Sequence, residues 1–320
     1  MKINQNTATF SGYELEPSMK HGYSFRDKAI GFLTLIPPIF LFVTPFNAAS
    51  AAVLSISNYP PWQLCIVGFI LAACAAGGAN IFNRYTDRER DKIAWPMRSI
   101  PSGRVNANHV LVLSISLYVC SLILCWVFFN PISFVILLLT IVLGSLYSLY
   151  LRDKIGYLTL APIVGLIYLG SWAAFSPETL FTSFIPWYLF ILGMVWQSAH
   201  ILIHYVLYID YDVNSISSVN TPVFIVKPSP RTAIYIALGV HVLTVLLGIL
   251  LPLLAPLGII YLVPVIVLGL YTLYDGFGLL KDPSNKQKIY KSWNLISLFR
   301  LVISAAILLD ILLVKSLGLL

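Results

Sequence analysis

Charge is scarce in this sequence. Asp, Glu, Lys and Arg make up 10% of its 320 residues, where a soluble domain carries about a quarter. With 58% hydrophobic residues and a mean hydropathy of +0.85, the composition excludes an ordinary soluble enzyme. Cysteine is sparse as well. Cys65, Cys74, Cys120 and Cys125 all lie in apolar runs, make no CxxC pair and sit near no His at metal spacing. They read as small core residues and not as a redox or zinc centre. The first 28 residues hold no apolar stretch ahead of a cleavage site, so no signal peptide is expected. Low-complexity segments and linkers that would divide the chain are missing too.

What the chain does have is long apolar runs. Nine of them approach the roughly twenty residues that cross a bilayer: 29–51, 61–82, 110–129, 132–151, 156–175, 184–209, 232–252, 256–280 and 294–316. The expected fold is an all-α polytopic membrane protein, nine transmembrane helices around a central cavity. Residues 1–28 are expected as a cytoplasmic tail and 29–320 as one integral-membrane domain. The connections 83–109, 152–155, 210–231 and 281–293 hold most of the Lys and Arg, whereas the opposite connections carry one charge, Glu178. The positive-inside bias then places the N-terminus inside and the C-terminus outside. The same bias accounts for the net charge of +7 without a nucleic-acid partner. Pro37 and Pro38 fall inside the first run and should kink or break it.

One short stretch departs from this background. Asn83 to Lys92, NRYTDRERDK, packs three acids and four bases into ten residues at the end of the second run. Asn83, Asp87 and Asp91 are spaced i, i+4, i+8, which stacks three oxygen-bearing side chains along one helical stripe. Hard oxygen donors suit Mg2+, which is commonly shared with substrate phosphates. The alternative is a solvated helix end whose acids pair with Arg84, Arg88, Arg90 and Lys92. The next residues favour the first reading. Pro96, Pro101 and Gly103 rule out a long regular helix, so Arg98 and Arg104 fall in a turn-rich loop beside the acids. Guanidinium groups next to metal-binding carboxylates are what a diphosphate requires. A looser counterpart, Asp210-Tyr-Asp-Val-Asn214, ends the sixth run on the same side of the membrane.

The pattern NxxxDxxxD followed by Pro101-Ser102-Gly103-Arg104 resembles the first signature of the UbiA superfamily of intramembrane prenyltransferases. Tyr147-Ser-Leu-Tyr-Leu-Arg152 is similar to the family's Tyr-Ser/Thr stretch at the end of the fourth helix, with Arg in place of Lys. The second signature matches less closely: Asp210 takes the first acidic position, Asn214 the second, and Ser218 stands where Gly is usual. The resemblance spans about 29–316. It implies that Asn83, Asp87, Asp91, Asp210 and Asn214 hold Mg2+ with the diphosphate of a polyprenyl donor. Arg98, Arg104, Arg152 and Lys154, with Lys227 as a further candidate, would bind that diphosphate beside Tyr147.

The implied activity is prenyl transfer to a lipophilic acceptor through an allylic carbocation, with Asp87, Asp91 and Asp210 as catalytic residues and membrane lipid as surroundings. The acceptor stays open. Trp196-Gln197 and His200 resemble the haem O synthase branch, and Asp87-Arg-Glu-Arg-Asp91 with PSGR resembles the archaeal lipid and quinone branches as much. Asn214 and Ser218 keep a terpene cyclase, which needs no acceptor, in view. A transporter with topogenic charged loops is the reading from another class. Four further expectations concern buried residues. His200 and His204, one turn apart, should line a cavity or be hydrogen-bonded. Asp275 and Arg300 should form an ion pair within the membrane. Asp310 has no evident partner. Among the aromatics near the clusters (Tyr85, Tyr147, Tyr150, Tyr168, Trp172 and Tyr208) only Tyr147 lies in a matched stretch.

Overall fold

The computed structural model describes residues 22–36, 38–214 and 228–316, and leaves the side chains of 38–40, 93–94, 208–214 and 314–316 outside that description. All regular structure among the described residues is helical. A short helix, α1 (Phe25–Leu33), precedes α2 (Pro38–Ile56), α3 (Trp62–Thr86), α4 (Arg88–Ala94) and α5 (Ala107–Phe128). Then follow α6 (Pro131–Lys154), α7 (Tyr157–Phe175), α8 (Ile185–Asn214), α9 (Pro230–Leu250), α10 (Ile259–Leu279) and α11 (Lys286–Ser316).

Among the described residues, eight helices are long and apolar enough to cross a membrane. The first expected span, 29–51, is not one helix. The chain turns after Leu33 and starts again at Pro38, since Pro fits the first turn of a helix and not its interior. The helix that restarts there runs Pro38–Ile56, 19 residues. At the other end, α11 begins well before the expected 294. Asn285 accepts from the Lys288 amide at 3.1 Å, and Lys286 donates to the carbonyls of Val206 and Leu207 on α8. A polar first turn is therefore held by capping and by contact with α8, which hydropathy alone does not register.

Polar residues fix several other helix starts. Asn106 caps α5 and Ser229 caps α9 ahead of Pro230. Asn130 caps α6 and also donates to the carbonyl of Ala173 on α7. The helices pack as a ring: α2, α3, α5, α6, α7, α8, α9, α10 and α11 each touch the next, and α11 returns to α2. Helix α2 also reaches across to α7, and α8 to α11. Two apolar clusters fill the ring, one around Trp172, Tyr261 and Phe299, the other around Ile203, Ile234 and Ile289. Of the four cysteines expected in the core, Cys125 is buried, whereas Cys65 and Cys120 lie on the outer surface. An outer surface facing lipid exposes apolar residues freely, so an apolar run does not distinguish core from lipid face.

Candidate functional site

The stripe of Asn83, Asp87 and Asp91 survives a helix junction. Helix α3 stops at Thr86 and α4 starts at Arg88, with Asp87 between them. The i to i−4 hydrogen bonds nevertheless run on. The Asp87 amide donates to the Asn83 carbonyl at 2.9 Å, and the Asp91 and Trp95 amides donate to Asp87 and Asp91 at 2.8 Å each. The three side chains thus stand on successive turns. Pro96 follows, and the chain leaves the helix as a run of turns to Asn106.

Helix α6 brings its last turns against this stripe through a π-helical stretch, Tyr147–Leu151. Such insertions rotate the helix face by adding a residue to one turn, and they concentrate at functional sites. Tyr147, Ser148 and Arg152 are buried as a result. Arg152 Nη2 lies 2.5 Å from Asp87 Oδ1, and its Nη1 donates to Asp87 Oδ2 at 3.0 Å and to Asn83 Oδ1 at 3.2 Å. Asn83 Nδ2 donates to Asp87 Oδ2 at 3.0 Å, and Ser148 Oγ donates to Asn83 Oδ1 at 3.3 Å. The guanidinium also lies 6.0 Å from the Tyr147 ring centroid.

Asp91 has its own cation. Arg98 Nη1 donates to Asp91 Oδ1 at 2.5 Å, and the Arg98 guanidinium lies 5.1 Å from the Trp95 ring. Asp91 is only 3% exposed. Burial pushes its carboxyl above the ordinary carboxylate value, and the Arg98 charge pulls it back. A longer ion-pair chain flanks the site: Arg90 Nη2 lies 3.0 Å from Asp153 Oδ1, which Arg152 Nε reaches at 3.3 Å.

The other expected diphosphate ligands are placed differently. Arg104 donates to Ser102 Oγ at 3.1 Å and to the Met97 carbonyl, so its described contacts shape the loop and do not meet the acids. Gly103 takes a positive φ of 78° in the same turn, where a side chain would be strained. The loop is clamped from outside by the Tyr23 hydroxyl, which donates to the Ser102 carbonyl at 2.8 Å, and by Thr34 Oγ1, 2.9 Å from Ser99 Oγ. Lys154 is exposed at the end of α6. Helix α8 carries Asp210 and Asn214 in its last turns, and the Tyr157 ring, next after the α6 terminus, meets His204 and Tyr205 on it. The side chains of Asp210, Asn214 and Tyr208, and Lys227 as a whole, lie outside the described residues.

The remaining expectations divide. His200 is buried and His204 half-buried among aromatics, His200 against Trp196 and Trp293, His204 against Trp293 and Tyr157. The Asp275–Arg300 pair is not formed. Asp275 instead pairs with Lys291 at 2.6 Å and accepts from Ser292, while Arg300 lies 4.3 Å from the Trp196 ring. Both partners of Asp275 are on α11 within easy reach of a side chain at the end of α10, so Arg300, two turns further in, is not needed there. Asp310 accepts from the Gly258 amide at 3.0 Å and the Tyr261 amide at 2.8 Å. It caps α10 from a distant helix, a role no local spacing announces. Trp172 is bonded to Thr179 in the loop after α7 and Tyr150 is exposed. Tyr85 stacks with Arg88.

Among the described residues, no group of three His, Cys, Asp or Glu gathers at metal distance. The donor set of Asn83, Asp87 and Asp91 nevertheless fits a hard divalent ion that draws its other oxygens from a phosphate. Buried Asp91 and largely buried Asp87, on adjacent turns, have Arg98 and Arg152 as counter-charges, and the same guanidinium groups match phosphate geometry.

The chain matches the family model described as the UbiA prenyltransferase family over residues 43–299. It is 33% identical over 160 residues to the digeranylgeranylglyceryl phosphate synthase of Saccharolobus solfataricus, covering 47% of this chain and 55% of that enzyme. It is 27% identical to the protoheme IX farnesyltransferase of Microcystis aeruginosa over 305 residues, 92% of each chain. The solved apo structure of a UbiA homologue from Aeropyrum pernix K1 aligns with a TM-score of 0.64 at 20% identity, covering 85% of this chain and 97% of that one. A UbiA homologue from Archaeoglobus fulgidus, bound to GPP and Mg2+, aligns at 0.60 and 18% identity over 87% and 99%. The solved structures share its fold, the family model covers the stripe, the loop and the π turn, and the chain belongs to the UbiA prenyltransferase family.

Proposed function

We propose that this protein transfers a prenyl group from a prenyl diphosphate to a lipophilic acceptor within the membrane, releasing pyrophosphate on the cytoplasmic side. The observation that carries this reading is the pairing of two carboxylates on successive turns, Asp91 buried and Asp87 largely so, with two arginines from separate elements, Asp87 with Arg152 and Asp91 with Arg98. A merely structural helix end would leave such groups in solvent, where each pair contributes little. The Archaeoglobus homologue bound to GPP and Mg2+ supports the donor class.

Asn83, Asp87 and Asp91 would hold Mg2+, with Asp210 and Asn214 from α8. When bound, the metal supplies Lewis-acid stabilisation of the departing diphosphate oxygens. Arg152 and Arg98 then exchange part of their carboxylate contacts for phosphate oxygens and neutralise the growing charge. One such preorganised donor is worth about 3 kcal/mol of barrier. Breaking the carbon–oxygen bond leaves an allylic cation and pyrophosphate. The Tyr147 ring, buried beside Arg152, offers its face to that cation. The apolar walls keep water from quenching it, until an acceptor atom forms the new carbon bond and loses its proton. Named relatives build digeranylgeranylglyceryl phosphate or farnesylate protoheme, and the acceptor here is of that lipophilic kind.

The test is equilibrium binding of a prenyl diphosphate to the purified chain. Binding that requires Mg2+, and that Asp91→Asn weakens at least tenfold, supports the reading. Binding indifferent to both would overturn it.

A further inference from the structure

Helix α1 lies outside the ring, against the loop that joins α4 to α5. Gly31 sits so close to that loop that a Cβ there would stand 2.7 Å from Val105 Cγ2. Both ends of α1 are tied to the same loop. Ahead of the helix the Tyr23 hydroxyl donates to the Ser102 carbonyl at 2.8 Å, and behind it Thr34 Oγ1 is 2.9 Å from Ser99 Oγ. Leu35, next in the chain, is buried with Ile81 of α3, Val105 of the loop and Val110 of α5. Between these ties the loop is braced on itself. The Ser102 amide donates to the Arg98 carbonyl at 2.9 Å, and the Val105 amide donates to the Ser99 carbonyl at 3.1 Å. Whatever fixes α1 therefore also fixes the backbone of Arg98, the residue that pairs with Asp91.

The other side of α1 faces outward. By helical period Phe25, Ala29, Phe32 and Leu33 share an arc of about 100°, with Lys28 on one edge of it and Arg26 on the other. Phe25 is 89% and Leu33 78% exposed, although α1 belongs to no membrane span. An apolar arc rimmed by basic side chains is the pattern of a helix lying in the headgroup layer, its apolar face turned to the acyl boundary. Position on the fold agrees. The contacts of α1 fall mainly on the loop between α4 and α5, past the end of one span at Thr86 and before the start of the next at Ala107, which is the level of the bilayer surface. The charge is of one sign. Asp27, the one acid of α1, is engaged with Ser24 in a capping box, while Arg26 and Lys28 are exposed. Two exposed cations at this level complement anionic headgroups.

We propose that α1 is an interfacial anchor whose Arg26 and Lys28 bind anionic lipid headgroups, and that this contact holds the Arg98 loop in place for the donor. The second half rests on the function proposed above, since it takes that loop to meet a diphosphate. The first half does not. Donor affinity then depends on the charge of the surrounding lipid, by about fivefold for each basic residue engaged.

The experiment is hydrogen–deuterium exchange of the full chain, read by mass spectrometry, in nanodiscs of phosphatidylcholine alone or mixed with phosphatidylglycerol. Anionic lipid is expected to slow exchange in residues 25–33 and in residues 96–106, and high salt to reverse the slowing. Arg26→Gln combined with Lys28→Gln should abolish it in both segments. Phe25→Ser combined with Leu33→Ser should speed exchange of α1 in either lipid. Prenyl diphosphate binding with Mg2+ is then measured in the same nanodiscs. In anionic lipid the Arg26→Gln, Lys28→Gln variant should bind donor at least about fivefold more weakly than the wild type, and in phosphatidylcholine equally well. Repulsion of the diphosphate by the surface is common to both proteins and cancels in that ratio. Equal exchange in the two lipids, which a cover by residues 1–21 or by a second copy would give, would overturn the anchor. So would slowing that survives removal of both charges, slowing of α1 without slowing of the loop, or donor binding weakened in phosphatidylcholine as well. Absence of donor binding by the wild type in both lipids would instead strike the transferase reading, with the exchange data still deciding the anchor.

Discussion

Arg152 Nη2 and Asp87 Oδ1 stand 2.5 Å apart, with side chains 7% and 13% exposed, and each is the other's principal counter-charge. Removing one partner of such a pair leaves an uncompensated charge, at about 3 kcal/mol, whereas removing both is close to neutral. Asp87→Ala should therefore lower Tm and abolish pyrophosphate release together. Asp87→Asn combined with Arg152→Gln should recover most of the Tm and none of the activity. Thermal melting with a pyrophosphate assay on the same samples reads both. Recovery of activity in the double variant would mean that the pair serves stability alone.

Arg98 should act on the donor more than on the fold. It comes from the loop, is a quarter exposed on its side chain and meets Asp91 at 2.5 Å. A charge-assisted bond to phosphate is worth about 1.5–3 kcal/mol, so Arg98→Ala should raise KM for the prenyl diphosphate by roughly ten- to a hundredfold. Steady-state kinetics across donor concentration decides it. Arg104→Ala should act differently, because its described bonds are to Ser102 and Met97: it should loosen the loop and lower kcat as well.

The loop is also positioned from α1. A Cβ at Gly31 would stand 2.7 Å from Val105 Cγ2 and 3.4 Å from Arg104 Cβ. Val is stiff at χ1, so Gly31→Val must displace the loop, at a packing cost of about 1–3 kcal/mol. The expected result is a higher KM for donor with the catalytic residues untouched. An unchanged KM would mean that α1 does not set the loop.

Asp310 provides the opposite case. It satisfies the Gly258 and Tyr261 amides at the start of α10, and nothing connects it to the carboxylate stripe. Asp310→Ala should lose about 1–2 kcal/mol of stability, as lost helix caps do, with KM for donor unchanged. Melting and kinetics on one preparation separate the two effects.

Much of this was legible in the residues. The spacing of Asn83, Asp87 and Asp91 and the turn signals of Pro96, Pro101 and Gly103 gave the stripe and its loop, because helical period and backbone sterics are local. The apolar runs gave the helices to within a few residues where lipid decides the boundary. The break expected at Pro37 and Pro38 is there, with α2 restarting at Pro38, but where packing decides the runs fall short, as at Lys286, whose ammonium reaches carbonyls of α8. Partners across helices were also out of reach. Depth alone pairs Arg300 with Asp275, yet Asp275 bonds Lys291 and Ser292. Ser148 and Asp153 escape a sequence reading for the same reason. Their signal is only their neighbourhood to Tyr147 and Arg152, and the π turn that rotates Ser148 inward leaves no mark in composition.

The most direct measurement follows prenyl transfer itself. The purified chain in lipid receives Mg2+, prenyl diphosphates of several lengths and, in parallel, no acceptor, a prenylglycerol phosphate, a phenolic acid or a haem. Products are identified by mass spectrometry. A prenylated acceptor and pyrophosphate are expected in equal amounts, both lost with EDTA and with Asp87→Ala. A cyclic hydrocarbon or terpene alcohol formed without any acceptor, or transfer that persists in Asp87→Ala, would contradict this expectation.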